Sequence, residues 1–251
     1  MLVDSGACAA HEWLFIISAG RAGSTTLLQM LNIVPTIFLS GENIDVLPNL
    51  LNLYDRSAQL GRRSGGLVTS HSNAPDDTVL RNLVCSWVLN MLPTPSAAVK
   101  PACVRQRCFR GFKELWGHGE LSLLPAIHTF FPGAFIVNNF RGVAGGLSAS
   151  PAAIAEANVW ATNESAALVK EYSTRFGRRW LDVPLEELAS PHTFNRLLRW
   201  LGVGNCSFSR VVHANNGSLG SQQYRTIPST EGVLTGRCHH HKHSNYSLKP
   251  K

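Results

Sequence analysis

The segment from residue 13 to residue 32 places a short apolar run, a turn with two glycines and a helical stretch in immediate succession. The apolar run over residues 13–17 is too short for a helix and is typical of a buried strand in a parallel sheet. Gly20 and Gly23 allow the backbone to bend and to approach a ligand closely. The helix that follows begins with backbone N–H groups that have no intrahelical partner and favour an anion. The segment therefore predicts an anion-binding turn.

The side chains of this turn restrict which anion it binds. Arg21 supplies a positive charge, and Ser24, Thr25 and Thr26 supply hydroxyl groups. A Walker A loop is excluded because Thr25 occupies the position of its second glycine and no Lys follows Gly23. The glycine spacing also does not fit a dinucleotide-binding fingerprint. The turn therefore predicts a phosphate-type ligand held without the Walker lysine.

Apolar patterns along the rest of the chain alternate between strand and helix. Strands are predicted at residues 36–40, 108–115, 134–140 and 180–185, and helices at residues 44–60, 78–92, 120–131, 151–176 and 191–201. Ser190 is the predicted N-cap of the last helix, with Pro191 at its first position. This alternation predicts an α/β fold of three layers, with a mainly parallel central sheet and helices on both faces.

Four polar residues fall at or beside the predicted strand ends. They are Arg21, Glu42, Lys113 and Arg141. Because the ligands of such sheets bind beyond the carboxyl ends of the strands, we expect these residues to gather at one edge. Residues 61–77 are rich in Gly, Ser, Asn and Arg and are expected to form a loop over the site.

Length and charge set broad bounds on the molecule. A chain of 251 residues with 44% hydrophobic content can bury one substantial core. We expect one domain over residues 13–203 and a C-terminal extension over residues 204–251 that is partly irregular or disordered. The net charge of +7 suits acidic small molecules or glycans. We expect no nucleic-acid partner and no membrane span in this chain.

The run from Arg21 to Leu27, with the order Arg-Ala-Gly-Ser-Thr-Thr-Leu, resembles the 5'-phosphosulfate loop of sulfotransferases. These enzymes use 3'-phosphoadenosine 5'-phosphosulfate (PAPS) as co-substrate. Arg at the first position looks more like the Golgi, carbohydrate-modifying branch than the cytosolic branch, which usually carries Lys. The resemblance covers residues 13–203 and implies a sulfotransferase fold similar to that of the P-loop NTPases.

The resemblance also implies how the nucleotide is bound. Arg21, Ala22, Gly23, Ser24, Thr25 and Thr26 would hold the 5'-phosphosulfate. A second family signature is a strand ending in Arg, with a Ser eight residues later, and both residues bind the 3'-phosphate. Arg141 matches the Arg, but the eighth position after it is Ala149. Ser148 is favoured for this role and Ser150 is the alternative.

Three residues are candidates for the chemical step. The resemblance implies that Arg21, besides binding the phosphosulfate, would neutralise charge on the bridging oxygen. Glu42 stands where some sulfotransferases place a catalytic carboxylate and is the first choice for general base. Lys113, in a Gly-Phe-Lys-Glu segment that resembles glycan-type enzymes, would stabilise charge on the sulfuryl oxygens. The alternative interpretation of Glu42 is an acid that favours the dipole of the next helix, and that of Lys113 is a solvated side chain.

The resemblance implies sulfuryl transfer from PAPS to a hydroxyl or amine, on a glycan or another hydroxylated molecule, without a metal. The alternatives are an inactive glycan- or nucleotide-binding protein of the same fold and a divergent nucleotide kinase. Six cysteines without a C-x-x-C pair permit disulfides, and four Asn-x-Ser triplets have the form of glycosylation acceptors. The predicted location is the Golgi lumen, if the chain begins after an anchor, or else the cytoplasm.

Overall fold

A parallel β-sheet forms the centre of the molecule. The computed structural model describes residues 12–18, 22–42, 47–50, 52–53, 55–56, 77–91, 108–115, 123–141, 163–213 and 231–240. The strands of the sheet are β1 (Glu12–Ser18), β2 (Ile37–Ser40), β3 (Phe109–Leu115), β4 (Phe135–Phe140) and β5 (Trp180–Pro184). Their order is β2-β3-β1-β4-β5, and every neighbouring pair is parallel.

Helices connect the strands. They are α1 (Ser24–Asn32), α2 (Asp77–Met91), α3 (Leu123–Phe130), α4 (Asn163–Phe176) and α5 (Pro191–Trp200). Residues 47–50, 52–53 and 55–56 are also helical, and 3-10 turns occupy Gly177–Arg179 and Leu185–Ala189. The first part of the helix predicted at residues 151–176 lies outside the described residues. Residues 44–46, 51, 54 and 57–60 of the helix predicted at residues 44–60 also lie outside the described residues. The other observed elements agree with the predicted ones within a few residues.

The apolar side chains of β1 alternate between the two faces of the sheet, as the period of a strand requires. Trp13, Phe15 and Ile17 join the core cluster that contains residues of α2, α3 and α4. Leu14 and Ile16 join the cluster that contains residues of α1 and α5. The sheet is thus covered on both sides, and the predicted three-layer α/β class is confirmed.

Aromatic packing stabilises the face covered by α2, α3 and α4. The Phe15 ring lies 4.9 Å from that of Phe112 and 5.2 Å from that of Phe131, measured between centroids. Phe15 is almost fully buried, so its replacement by Ala would cost about 3–5 kcal/mol. This core fixes β1 and β3 side by side and therefore fixes the positions of the strand ends that follow.

The last helix begins and ends as its sequence predicts. Ser190 is the N-cap, and its hydroxyl oxygen accepts a hydrogen bond of 3.2 Å from the backbone N–H of His192. Pro191 occupies the first turn, where its missing N–H costs nothing.

Two strands after α5 form an antiparallel hairpin that the sequence analysis did not predict. They are β6 (Val203–Phe208) and β7 (Leu234–His240). The Cys206–Cys238 disulfide joins them across a sequence separation of 32 residues, which corresponds to about 3–4 kcal/mol of loop-closure entropy. The side-chain amide of Asn195 on α5 bonds to both backbone groups of Phe208, at 2.6 and 3.1 Å. Part of the predicted C-terminal extension is therefore ordered against the core.

A helix that crosses a bilayer needs about 20 predominantly apolar residues. No helix within the described ranges is long and apolar enough to cross a membrane.

Candidate active site

The carboxyl ends of the parallel strands lie at one edge of the sheet, and three of the predicted site residues are found there. Glu42 follows β2 by two residues, Lys113 lies near the end of β3, and Arg141 comes directly after β4. Ser18, the last residue of β1, pairs in register with Leu115 of β3. The topology thus brings together residues that are far apart in sequence, at the edge where sheets of this class bind ligands.

Gly23 forms the start of α1 at this edge. Its φ of 80° is in the left-handed region, which a residue with a Cβ atom adopts only with strain. Its carbonyl oxygen accepts the first helical hydrogen bond, from the N–H of Leu27, at 3.2 Å. The first turn of α1 contains no acidic residue. No carboxylate of this turn therefore neutralises the positive end of the helix dipole, which favours an anion.

The residues around Gly23 differ in their exposure. Ala22 is fully buried, Ser24 and Thr26 are buried, and Thr25 is half-buried. Ala22 has no solvent-accessible surface, and its small side chain suits this buried position. Thr25 is therefore the most accessible of the three hydroxyl-bearing residues in the predicted phosphate loop.

Lys113 and Glu42 form an ion pair at the same edge. The ammonium group of Lys113 donates a hydrogen bond to Oε1 of Glu42. The Lys113 side chain is only 6% exposed, whereas that of Glu42 is 42% exposed. The interpretation of Lys113 as a solvated side chain is therefore wrong. A buried ammonium needs such a partner because burial without one is costly.

The register of the sheet places Lys113 on the face covered by α1. Lys113 pairs with Ile16 of β1, which in turn pairs with Val137 of β4. Ile16 and Val137 both belong to the core cluster beneath α1. Because successive residues of a strand alternate, Glu114 lies on the opposite face, where it is buried. Of the two charged residues in the segment, Lys113 is the one on the side of the predicted phosphate loop.

A side-chain clamp positions the strand that leads to Glu42. Asn32, the last residue of α1, accepts a hydrogen bond from the backbone N–H of Leu39 and donates one to its carbonyl oxygen, both at 2.8 Å. The clamp ties the end of α1 to β2. Glu42 is three residues beyond this point, so its placement depends on the same helix that carries the phosphate loop.

Comparisons with known proteins gave matches among solved structures but none among family profiles or curated proteins. Among solved structures, the chain is similar to the sulfotransferase STF9 from Mycobacterium avium, with 13% sequence identity and a TM-score of 0.36. The match covers 76% of this chain and 64% of the mycobacterial chain.

A buried hydrogen-bond chain that the sequence analysis did not single out supports the strand ends. The hydroxyl of Ser18 donates to Oδ1 of Asn139 at 3.1 Å, and Nδ2 of Asn139 donates to the carbonyl oxygen of Val183 at 2.9 Å. These hydrogen bonds link β1, β4 and β5. Ser18 ends the strand that precedes the predicted phosphate loop, and Asn139 lies two residues before Arg141. Polar Asn residues inside the apolar run of β4 were the signal in the sequence.

A second hydrogen-bonded group lies on the other face of β4. Nδ2 of Asn138 donates to Oδ1 of Asp182 at 2.7 Å, and the indole N–H of Trp180 donates to the same oxygen at 2.9 Å. Both Asn residues of β4 thus have structural roles, one on each face. Together they hold β4 and β5 in register up to the residue before Arg141.

Some predicted site residues lie outside the described residues. These are Arg21, Ser148, Ser150 and most of the loop over residues 61–77. Within the described ranges, no cluster of three or more His, Cys, Asp or Glu side chains has the arrangement of a metal site.

Proposed function

We propose that this protein transfers a sulfuryl group from PAPS to a hydroxyl or amine of an acceptor, and that the acceptor is a carbohydrate. One observation carries the proposal. The Gly23 turn at the start of α1 lies on the same face and at the same edge of the parallel sheet as the buried Lys113 of β3. Arg141 follows β4, which pairs with β1 on the side opposite to β3. In this arrangement the Gly23 turn and Lys113 can bind a phosphosulfate, and Arg141 is a second cation that can bind the 3'-phosphate at the other end of the nucleotide.

In the proposed complex, the two phosphate groups of the donor bind at different strand ends. Arg21, the backbone of residues 22–25 and the hydroxyls of Ser24, Thr25 and Thr26 hold the 5'-phosphosulfate. Arg141, with Ser148 or Ser150, holds the 3'-phosphate. The sequence pattern supports this assignment, and the absence of acidic residues from the first turn of α1 is consistent with it.

The chemical step follows from the charges at this edge. The acceptor oxygen or nitrogen attacks sulfur, a new bond to sulfur forms, and the bond from sulfur to the bridging oxygen of the 5'-phosphate breaks. Adenosine 3',5'-bisphosphate leaves, and Glu42 takes the proton of the acceptor. Lys113 and Arg21 stabilise the negative charge on the transferred group and on the bridging oxygen. The chemistry proposed for these residues requires no metal.

We also propose that the protein works in the lumen of the secretory pathway, in the Golgi. Cys206 and Cys238 form a disulfide, and Cys85 and Cys108 are disulfide-bonded as well. Such bonds form and persist in oxidising compartments and are rare in the cytosol. A luminal location also provides the glycan acceptors that the Arg21 form of the loop suggests.

The second candidate is an inactive glycan- or nucleotide-binding protein of the same fold. The ion pair between Lys113 and Glu42 favours this candidate. While the pair is formed, the Lys113 ammonium and the Glu42 carboxylate bind each other and not the donor or the acceptor. A donor would have to draw Lys113 away from Glu42 to use both. A divergent nucleotide kinase is a weaker alternative, since the Walker lysine is absent from the loop.

Two measurements separate these functions. Calorimetry should detect binding of adenosine 3',5'-bisphosphate but not of ATP with magnesium, and the opposite result would show that the ligand class is wrong. Incubation with a radiolabelled sulfate donor and a panel of glycans then separates an enzyme from an inactive relative. Arg21→Ala should abolish transfer, whereas Arg199→Ala, at an exposed position on α5, should leave it unchanged.

A further inference from the structure

The hairpin of β6 and β7 presents an unusual residue to solvent. Asn205 is exposed and has a φ of 61°, which makes it the one residue other than glycine with a positive φ in the described ranges. It begins the triplet Asn205-Cys206-Ser207, which has the form of an N-glycosylation acceptor. Neither the fold nor the proposed chemistry gives this triplet a function.

The hairpin is irregular at this point. Gly204 pairs with His239 and Cys206 pairs with Gly236, so Asn205 alone stands opposite Arg237 and Cys238. Gly236 allows the close approach, because a Cβ atom there would lie 2.3 Å from the carbonyl oxygen of Asn205. The side-chain amide of Asn205 makes no hydrogen bond to other described residues. The irregularity thus leaves an accessible amide on the surface.

The third residue of the triplet is accessible as well. Ser207 is exposed, and its hydroxyl lies 3.1 Å from that of Thr235 on the facing strand. Of the other triplets, those that begin at Asn216 and Asn245 lie outside the described residues. Asn163 begins α4, and its side chain is not described. The Asn205 triplet is therefore the one whose exposure the structure shows in full.

We infer that Asn205 is an N-glycosylation site of this protein. The reaction joins Nδ2 of Asn205 to the first sugar of a lipid pyrophosphate-linked oligosaccharide. The bond between that sugar carbon and the pyrophosphate oxygen breaks, the lipid pyrophosphate leaves, and Nδ2 loses one proton. Disulfides at Cys206, Cys85 and Cys108 fit the oxidising compartment in which this modification occurs. The inference does not depend on sulfuryl transfer.

The disulfide sets the time at which the glycan is added. Cys206 is the middle residue of the triplet, and its bond to Cys238 fixes the acceptor segment in a hydrogen-bonded strand. The separation of 32 residues means that Cys238 is synthesised about 2 to 6 s after Cys206, at 5–20 residues per second. The glycan is added while the triplet is still an extended, unpaired chain.

Glycopeptide mass spectrometry on the full chain, made with its native targeting in a eukaryotic cell, tests the inference. The peptide that contains Asn205 should carry a glycan, and peptide-N-glycosidase should convert this residue to Asp. Ser207→Ala and Asn205→Gly should both lose the glycan completely, and Asn205→Gly does so without backbone strain because Gly accepts positive φ. Recovery of the wild-type peptide only in unmodified form would overturn the inference.

A second variant tests the timing. Cys238→Ser keeps the triplet but removes the competing disulfide, so a larger fraction of Asn205 should be glycosylated than in the wild type. If Asn205 is glycosylated only in part, and to the same fraction in Cys238→Ser and in the wild type, the proposal that the glycan is added before the disulfide forms is overturned. Thermal unfolding of Ser207→Ala should give a single transition near that of the deglycosylated wild type, which shows that the loss of the glycan does not follow from misfolding.

Discussion

Lys113 donates a hydrogen bond to Glu42 across the boundary between the sheet and solvent. The ammonium end is fixed by packing, since its side chain is 6% exposed, while the carboxylate end is 42% exposed. Lys113 belongs to β3, Glu42 follows the neighbouring strand β2 by two residues, and the two groups lie 71 residues apart in sequence. Because only one partner is buried, substitutions at the two positions have different expected effects on stability and activity.

We expect Lys113→Met to retain the fold and to lose activity. Met fills nearly the same volume without a charge, and the exposed Glu42 carboxylate stays hydrated when its partner is removed. The free energy of unfolding should therefore stay the same or rise, while the rate of sulfuryl transfer falls by about 100- to 1,000-fold. Urea unfolding and a radiolabel transfer assay measure the two effects. A large loss of stability with unchanged transfer would show that the lysine is structural.

We expect Glu42→Gln to lower the turnover rate by about 100- to 10,000-fold without preventing donor binding. The Gln oxygen still accepts a hydrogen bond from Lys113, but the side chain no longer accepts the proton of the acceptor. Glu171→Gln is the matched control, because Glu171 forms an exposed ion pair with Arg175 on α4. That pair should contribute less than about 1 kcal/mol to stability and nothing to turnover. Equal turnover in Glu42→Gln and wild type would exclude Glu42 as the base.

We expect Gly23→Ala to destabilise the protein by about 1–3 kcal/mol and to weaken binding of adenosine 3',5'-bisphosphate. A Cβ atom at this position would lie 2.7 Å from Cδ1 of Leu185 and 2.8 Å from Cδ1 of Leu188, and the φ of 80° is strained for Ala. Gly41→Ala is the control, because no described residue other than its two chain neighbours has an atom within 4 Å of the added Cβ. Urea unfolding and calorimetry of both variants check the difference. Equal stability of the two variants would contradict the argument.

The main elements of the fold were predictable because their signals are local. Apolar runs such as residues 13–17 are long enough for a strand and too short for a helix, and Ser190 with Pro191 marks a helix start within two residues. Alternating strands and helices then leave few arrangements other than a parallel sheet with two covered faces. The edge where the candidate site lies follows from that topology alone.

The contacts within the site were not predictable, because they depend on register between distant segments. Ser18 and Asn139 are 121 residues apart, and their hydrogen bond exists only because β1 and β4 pair at that position. The hairpin of β6 and β7 was missed for a different reason. Its residues lack an apolar alternation, and the disulfide and the Asn195 contacts hold it in place.

We expect Arg141→Ala to weaken binding of adenosine 3',5'-bisphosphate by about 10- to 100-fold, the value of a charged hydrogen bond. If Arg141 binds the 3'-phosphate, adenosine 5'-monophosphate should bind equally to the variant and to the wild type. Titration calorimetry with both nucleotides measures the difference. A similar loss for the two nucleotides would place Arg141 near the shared part of the ligand, or would show a general loss of structure.

His128 should make stability depend on pH below neutrality. Partial burial, and then the positive charge of Arg175, lower the pKa of His128 from its ordinary value of 6.5. Its ring lies 5.7 Å from that of Tyr172 and 5.5 Å from that of Phe176, between centroids. The unfolded chain therefore takes up a proton at a higher pH than the folded protein does. The stability due to neutral His128 is complete above pH about 6.5 and is lost as the pH falls toward the lowered pKa.

The melting temperature of the wild type should accordingly fall more steeply between pH about 7 and about 5 than that of His128→Phe, which keeps the ring packing. Arg175→Gln should show an intermediate slope, because it removes only the smaller of the two causes. Parallel melting curves for all three proteins would contradict a role for His128, since carboxylates titrating in the same range affect each of them alike.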